Sequence, residues 1–163
     1  MNFDDYMAIK TAEAFESERD LTYCIFTKPH HVEKIVNFLN QKTDLHYTIT
    51  SDKQEIKNFA YNFDVGVSYC CPHILNIDSR PFYNYHPAPL PHYKGQDIYA
   101  RAIRKGMRIW GVTLHRMTEK VDEGEIIKEV LFEIEEPCST NEIGTISHAA
   151  LFKLFRETIM ELK

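Results

Sequence analysis

Three side chains in this sequence have the types and spacing to act together. Asn84 and His86 stand two residues apart, and Asp122 follows well downstream. In a β-strand, residues i and i+2 point to the same face. A strand over 82–86 therefore projects the amide and the imidazole side by side, and Pro87, which has no N–H to donate, stops the ladder just beyond. Amide, imidazole and carboxylate suit acyl transfer to an amine. The amide donates to a developing oxyanion, the imidazole manages the amine proton, and the carboxylate fixes its tautomer. No Ser or Cys nucleophile occupies a strained elbow of the G-x-S-x-G kind, so direct attack by the substrate amine is expected in preference to a covalent acyl-enzyme. The spacing of Asn84 and His86 alone also fits a buried amide satisfied by an imidazole; Asp122 shifts the balance toward a site.

The elements that must hold these groups are those of an α/β sheet. Residues 21–27 are short and β-rich. Pro29 suits a first helical turn, and Val32, Ile35, Val36 and Leu39 follow as one helical stripe. Residues 46–50 form a second strand. Ser51-x-x-Gln54 has the form of a capping box opening a helix with Ile56, Phe59, Ala60 and Phe63 on its face. Residues 64–69 give a third strand covered on both faces, 72–80 a turn or short helix, and 82–86 the fourth strand. Strands separated by helices argue for right-handed βαβ units and a parallel sheet, whose ligands lie outside the carboxyl ends of the strands. Residues 97–105 read as a helix closed by Gly106. Residues 108–117 and 125–135 come without a helix between them and form a hairpin-like antiparallel pair. A helix over 148–162 closes the chain, and residues 1–20 read as a weak helix or ordered tail. The 163 residues fit one domain.

Composition narrows the class. With 44% apolar and 26% charged residues and a formal charge of −5, the chain is an ordinary globular protein poorly suited to nucleic acid. No apolar run approaches the roughly 20 residues that span a membrane, and the acidic N-terminus is no signal peptide, so a cytoplasmic location is expected. Cys24, Cys70, Cys71 and Cys138 form no secreted disulfide framework. Cys70-Cys71-Pro72-His73 lacks the C-x2–4-C spacing of zinc sites, and His30-His31 meets the same objection; no metal is expected. The run Pro87-Ala88-Pro89-Leu90-Pro91 lies mid-domain, where a rigid pocket-shaping loop is favoured over a polyproline ligand. No dinucleotide or P-loop glycine motif is present. His92 and His115 are polar positions near the candidate site. Tyr83, Tyr93, Lys94, Gln96 and Asp97 neighbour the expected amine pocket, where Trp110 or a tyrosine could stack on a base.

Asn84-Tyr85-His86-Pro87-Ala88-Pro89-Leu90-Pro91-His92-Tyr93-Lys94-Gly95 resembles the N-x-H-P-x-x-L-P-x-(Y/F)-(R/K)-G segment of folate-dependent formyltransferases. Trp110-Gly111-Val112-Thr113-Leu114-His115-Arg116-Met117, followed by Val121-Asp122-Glu123-Gly124-Glu125-Ile126-Ile127, is similar to that family's G-V-T-x-H-x-M, D-x-G and I-I run. Asp64-Val65-Gly66-Val67-Ser68-Tyr69 is similar to the strand before its folate pocket. The resemblance implies a Rossmann-like α/β formyltransferase fold, a mainly parallel sheet flanked by helices with an antiparallel extension and C-terminal helix. It implies N10-formyltetrahydrofolate as donor, a primary amine as acceptor, and Asn84, His86 and Asp122 as the catalytic residues. Pterin contacts are implied through the main chain at Tyr69, Cys70, Cys71 and His73 and in the turn with Val121, Glu123 and Gly124, with Leu90 beside them, acceptor contacts at Tyr93, Lys94, Gln96 and Asp97, and a cis peptide at Leu90-Pro91. Glu123 stands where the family usually has Thr.

Within the family, the H-P-x-P-L-P wording and W-G-V-T-L-H are most similar to enzymes that formylate nucleotide-linked amino sugars. The tRNA-formylating relatives read S-L-L-P at Ala88-Pro89-Leu90-Pro91 and carry a C-terminal domain for which no chain remains here. The glycinamide ribonucleotide relatives carry a glycine-rich loop where Thr27-Lys28-Pro29-His30-His31 stands. The function expected is therefore N-formylation of an amino sugar, with no nucleic-acid or membrane partner and with the oligomeric state, monomer or homodimer, left open. Hydrolysis of the formyl-folate, transfer to another amine, and non-catalytic binding of folate or nucleotide sugar are the alternatives.

Overall fold

In the computed structural model, which describes residues 20–135 and 138–163, the elements are as follows. The first half contains β1 (Thr22–Thr27), α1 (Pro29–Lys42), β2 (His46–Thr50), α2 (Lys53–Lys57), β3 (Val65–Tyr69) and β4 (Phe82–His86). The second contains α3 (Ile98–Arg104), β5 (Ile109–Arg116), β6 (Ile126–Glu133) and α4 (Thr140–Thr158), with a 3-10 turn at Ile159–Glu161. One six-stranded sheet runs in the order β2-β1-β3-β4-β5-β6. β1 to β4 pair in parallel; β5 and β6 extend the sheet antiparallel. This is the expected architecture. Strand order reverses between β1 and β3, and such switch points open a crevice beyond the strand ends.

Strand alternation divides the core. Ile25, Val67, Tyr85 and Leu114 point to the face covered by α1 and α4, where they meet Ile35, Leu39, Leu151 and Phe155. Phe26 and Phe82 point the other way, onto Ile56 of α2 and Phe63, with Phe59 packed alongside. Each fully buried side chain of this size contributes about 1.5–3 kcal/mol of transfer free energy. Gly66 is required between the layers, because a Cβ there would run into the Phe82 ring.

Two boundaries differ from the sequence expectation. The cap of α2 is Asp52, whose carboxylate accepts from Gln54 N (2.8 Å) and Glu55 N (3.0 Å), not Ser51. The helix ends at Lys57, so Phe59 and Phe63 reach the core from irregular chain. Helix α4 starts well before residue 148, at a capping box in which Ser139 and Glu142 satisfy each other's backbone N–H. Gly144, Thr145 and Ser147 hide its first turns from a search for apolar periodicity, yet Ser147 is buried and returns its hydroxyl to Ile143 O (2.6 Å). The helix or tail expected at 1–20 falls, but for its last residue, outside the described residues.

Candidate active site

The carboxyl end of β4 and the turn after β5 build the site. Asn84 and His86 emerge on one face of β4, and across the antiparallel ladder Asn84 is paired with His115 and His86 with Thr113. Residues 111, 113 and 115 of β5 then do three jobs on that face. Gly111 lets β5 approach Val130 and Leu131 of β6 closely. Thr113 donates to Ala88 O (2.8 Å) and accepts from Leu90 N (3.2 Å), pinning the proline loop. His115 lies with Nε2 3.2 Å from Asn84 Nδ2 and 3.5 Å from Asp122 Oδ1.

Asp122 enters from the turn between β5 and β6. Its backbone sits in the left-handed region at φ 54°, a conformation that Asp tolerates better than most residues. Its Oδ2 accepts from Gly95 N (3.0 Å) and lies 3.8 Å from His86 Nδ1. The turn closes at Gly124, where any Cβ would collide with the Arg116 carbonyl. A Lys94–Glu123 ion pair (3.1 Å) ties the same two segments together from outside.

Hydrogen bonding fixes the imidazoles. His86 Nε2 donates to Tyr93 O (2.8 Å), which leaves Nδ1 as the atom facing Asp122. His115 Nδ1 donates to Arg116 O (3.0 Å), so in the neutral ring Nε2 is an acceptor for the Asn84 amide. Burial lowers the pKa of His86 from its usual value, with Asp122 pulling the other way. His86 is thus a neutral base near neutral pH. Burial opposes ionisation of Asp122, but the His115 and His86 rings, which carry protons on their facing nitrogens at the low pH where this carboxyl titrates, and the Gly95 N–H outweigh it and hold the carboxyl down to about 2.

These groups line a cavity of about 740 Å³ that also reaches Cys70, Cys71 and His73 after β3, and Gln96 and Asp97 before α3. Val121 lines it as well. The side chains of the other expected contact residues are placed outside the cavity lining. Tyr69 is buried against Tyr85 and Phe155. Leu90, Glu123 and Gly124 shape the loops behind the cavity wall rather than lining it. Tyr93 is buried on Trp110 with ring centroids 4.7 Å apart, and Lys94 is engaged with Glu123. Trp110, fully buried and donating to Ser147 (2.8 Å), has no face left to stack on a base. Tyr83 bonds the Lys163 carbonyl (2.6 Å), and His92 is exposed away from the lining. The Leu90-Pro91 peptide is cis. The residue the sequence underweighted is His115; its i+2 and i+4 relation to Thr113 and Gly111 on one strand face was the available signal.

The sequence profile of the formyl transferase family matches residues 34–156. The methionyl-tRNA formyltransferase of Fervidobacterium nodosum is 38% identical over 79 residues, which is 47% of this chain and 26% of that protein. The chain thus spans about a third or less of the first curated relatives it matches, 26%, 33% and 28% of their lengths. Among solved structures, a 4-N formyltransferase from Francisella tularensis superposes with a TM-score of 0.75 at 18% identity, covering 86% of this chain and 68% of that one. The formyltransferase PseJ from Anoxybacillus kamchatkensis, solved with UDP-4,6-dideoxy-4-formamido-L-AltNAc and tetrahydrofolate, superposes with a TM-score of 0.69 at 24% identity, covering 83% and 73%. Among the described residues no helix is long and apolar enough to cross a membrane. With three quarters of its sequence inside one family profile and the same sheet as these enzymes, the chain belongs to the formyl transferase family.

Proposed function

We propose that the chain, acting as one catalytic domain over 1–163, transfers a formyl group from N10-formyltetrahydrofolate to the primary amine of a nucleotide-linked amino sugar. The observation that carries the reading is the convergence of Asn84, His86 and Asp122 on one cavity, with His86 Nδ1 directed at the carboxylate. A volume of about 740 Å³ is that of a small-molecule site. The net charge of −5 disfavours tRNA as acceptor.

In the mechanism, the acceptor amine attacks the formyl carbon directly. The second N–H of Asn84, the one not given to His115, donates to the oxygen on which charge develops. Donors of this sort lower the barrier by about 3–4 kcal/mol. His86 Nδ1 takes the proton lost by the amine, and Asp122 stabilises the imidazolium that results. Collapse breaks the bond from the formyl carbon to N10, and the proton carried by His86 passes to N10 of the leaving tetrahydrofolate. A formamide and tetrahydrofolate are the products, with no net change in charge.

The test is turnover with N10-formyltetrahydrofolate against a panel of acceptors: nucleotide-linked 3-amino and 4-amino sugars, glycinamide ribonucleotide and charged methionyl-tRNA. Formylated amino sugar as the preferred product is expected. Preference for either other acceptor would replace the substrate assignment, and formate released at full rate with no amine present would replace transfer by hydrolysis.

A further inference from the structure

In the wall of the cavity that holds the proposed catalytic groups lies a second cluster, to which the transfer mechanism assigns no proton-transfer or oxyanion role. His31 from the first turn of α1, Cys70 just after β3 and His148 from the middle of α4 each offer one ligand atom, and these atoms lie within 4.8 Å of one another. His148 Nδ1 is 3.9 Å from Cys70 Sγ, and the two imidazole rings are 5.3 Å apart. His31 is 3% exposed, and its Nε2 has no hydrogen-bond partner among the described residues. A buried polar nitrogen left without a partner is costly and rare. Cys70 also adopts φ 51°, a left-handed backbone uncommon for a non-glycine residue. Both chain segments bearing His31 and Cys70 leave the strands flanking the point where the sheet order reverses.

We propose that His31, Cys70 and His148 form a zinc site at this switch point, with a fourth position left for water or an oxygen of a bound ligand. Zinc bonds of about 2.0–2.3 Å in a tetrahedron set ligand atoms roughly 3.3–3.7 Å apart, so modest side-chain shifts close the set. Two nitrogens and a sulfur with no carboxylate exclude the hard ions calcium and magnesium and suit a borderline-soft divalent ion. Burial lowers the pKa of His31 to about 3 and also lowers that of His148, so both rings are in the neutral form that ligates. Burial pushes the Cys70 thiol up to about 12. Binding therefore forms the Zn–S bond and expels the thiol proton to solvent, one per zinc. Lys28, Lys34 and His30 are the neighbouring cationic or titratable groups, and the new thiolate offsets one of their charges. The Lys34 ammonium itself sits over Tyr69 and Phe152, 5.2 and 5.0 Å from the ring centroids. The sequence pointed to no metal because these ligands are far apart along the chain.

Cobalt(II) is the probe, added to the chelator-stripped full chain. The expected result is a thiolate-to-cobalt charge-transfer band saturating at one equivalent, abolished by zinc, with one proton released per zinc. Cys70→Ser is expected to remove the band, and His148→Gln to weaken zinc binding at least about ten-fold. Cys71→Ser, whose thiol is turned to His73 O (3.5 Å), keeps both. Circular dichroism verifies that each variant is folded, and a zinc-induced rise in the melting temperature of the unmodified chain gives a readout independent of any variant. Absence of both the band and the rise in melting temperature overturns the proposal. So does a band that survives Cys70→Ser, or stabilisation by inorganic phosphate in place of zinc, which would make the cluster an anion site.

Discussion

Asn84 on β4 and His115 on β5 are direct cross-strand partners, and the amide nitrogen of the first lies 3.2 Å from Nε2 of the second. An amide can rotate to present either its oxygen or its nitrogen to a substrate, and this contact decides which. With Nδ1 donating to the Arg116 carbonyl (3.0 Å), Nε2 of His115 accepts from Asn84 and leaves the second amide N–H for the formyl oxygen.

His115 is therefore predicted to act as a positioning residue. In His115→Leu, kcat is expected to fall on the order of 10- to 100-fold, with a much smaller change in KM. His115→Gln places an amide oxygen near the original Nε2 and is expected to recover a large part of that loss. Steady-state kinetics on both variants decides the matter: equal losses would reduce His115 to a packing residue.

Asn84→Ala and Asp122→Asn are each expected to lose about 100-fold or more in turnover, the scale set by removing an oxyanion donor or the partner of a catalytic imidazole. Asn is chosen at 122 because it tolerates the φ of 54° found there. Melting temperatures near that of the unmodified chain would separate a chemical defect from a folding one.

The acid limb of the rate profile should report His86. A base works above its pKa, and burial lowers this one from its ordinary 6.5 while Asp122 raises it. Activity is thus expected to hold until the pH drops below about 6.5 and then to fall as Nδ1 protonates. Asp122→Asn removes the raising influence, so its residual activity should show an acid limb displaced to still lower pH. A limb displaced upward would contradict the assigned geometry.

At Gly124, alanine has no room beside the Arg116 carbonyl. The turn must open, and Asp122, two residues earlier, moves with it. Gly124→Ala is expected to reduce turnover by at least about ten-fold at an accompanying stability loss of about 1–3 kcal/mol. Gly66→Ala, which would clash with Phe82 in the core far from the loops, should show comparable destabilisation with turnover per folded molecule preserved. Denaturant melts paired with active-site-normalised rates distinguish the two.

Much of this arrangement is written locally. Pro29, the β-rich runs, Gly106 and the proline loop mark their elements through backbone chemistry that acts within a few residues. The same-face relation of Asn84 and His86 follows from strand geometry alone. What local pattern does not contain is register. That Asn84 meets His115, and not residue 113 or 117, depends on how β4 and β5 align. Tyr93 and Trp110 were natural candidates for a binding surface by residue type, but packing turned them on each other. Helix α4 is longer than its apolar periodicity indicates, because its opening turns carry glycine and hydroxyl residues whose burial only tertiary contacts reveal.

The described non-glycine residues with positive φ are Cys70, Asp97 and Asp122, and all three line the cavity. Left-handed backbone disfavours a side chain by about 1–2 kcal/mol relative to glycine. Glycine substitution, a standard route to a more robust protein at such positions, would here delete a thiol and two carboxylates from the cavity wall. Selection for thermal stability alone should therefore drift toward chains that fold better and do less chemistry, with the loss arriving first at these three positions.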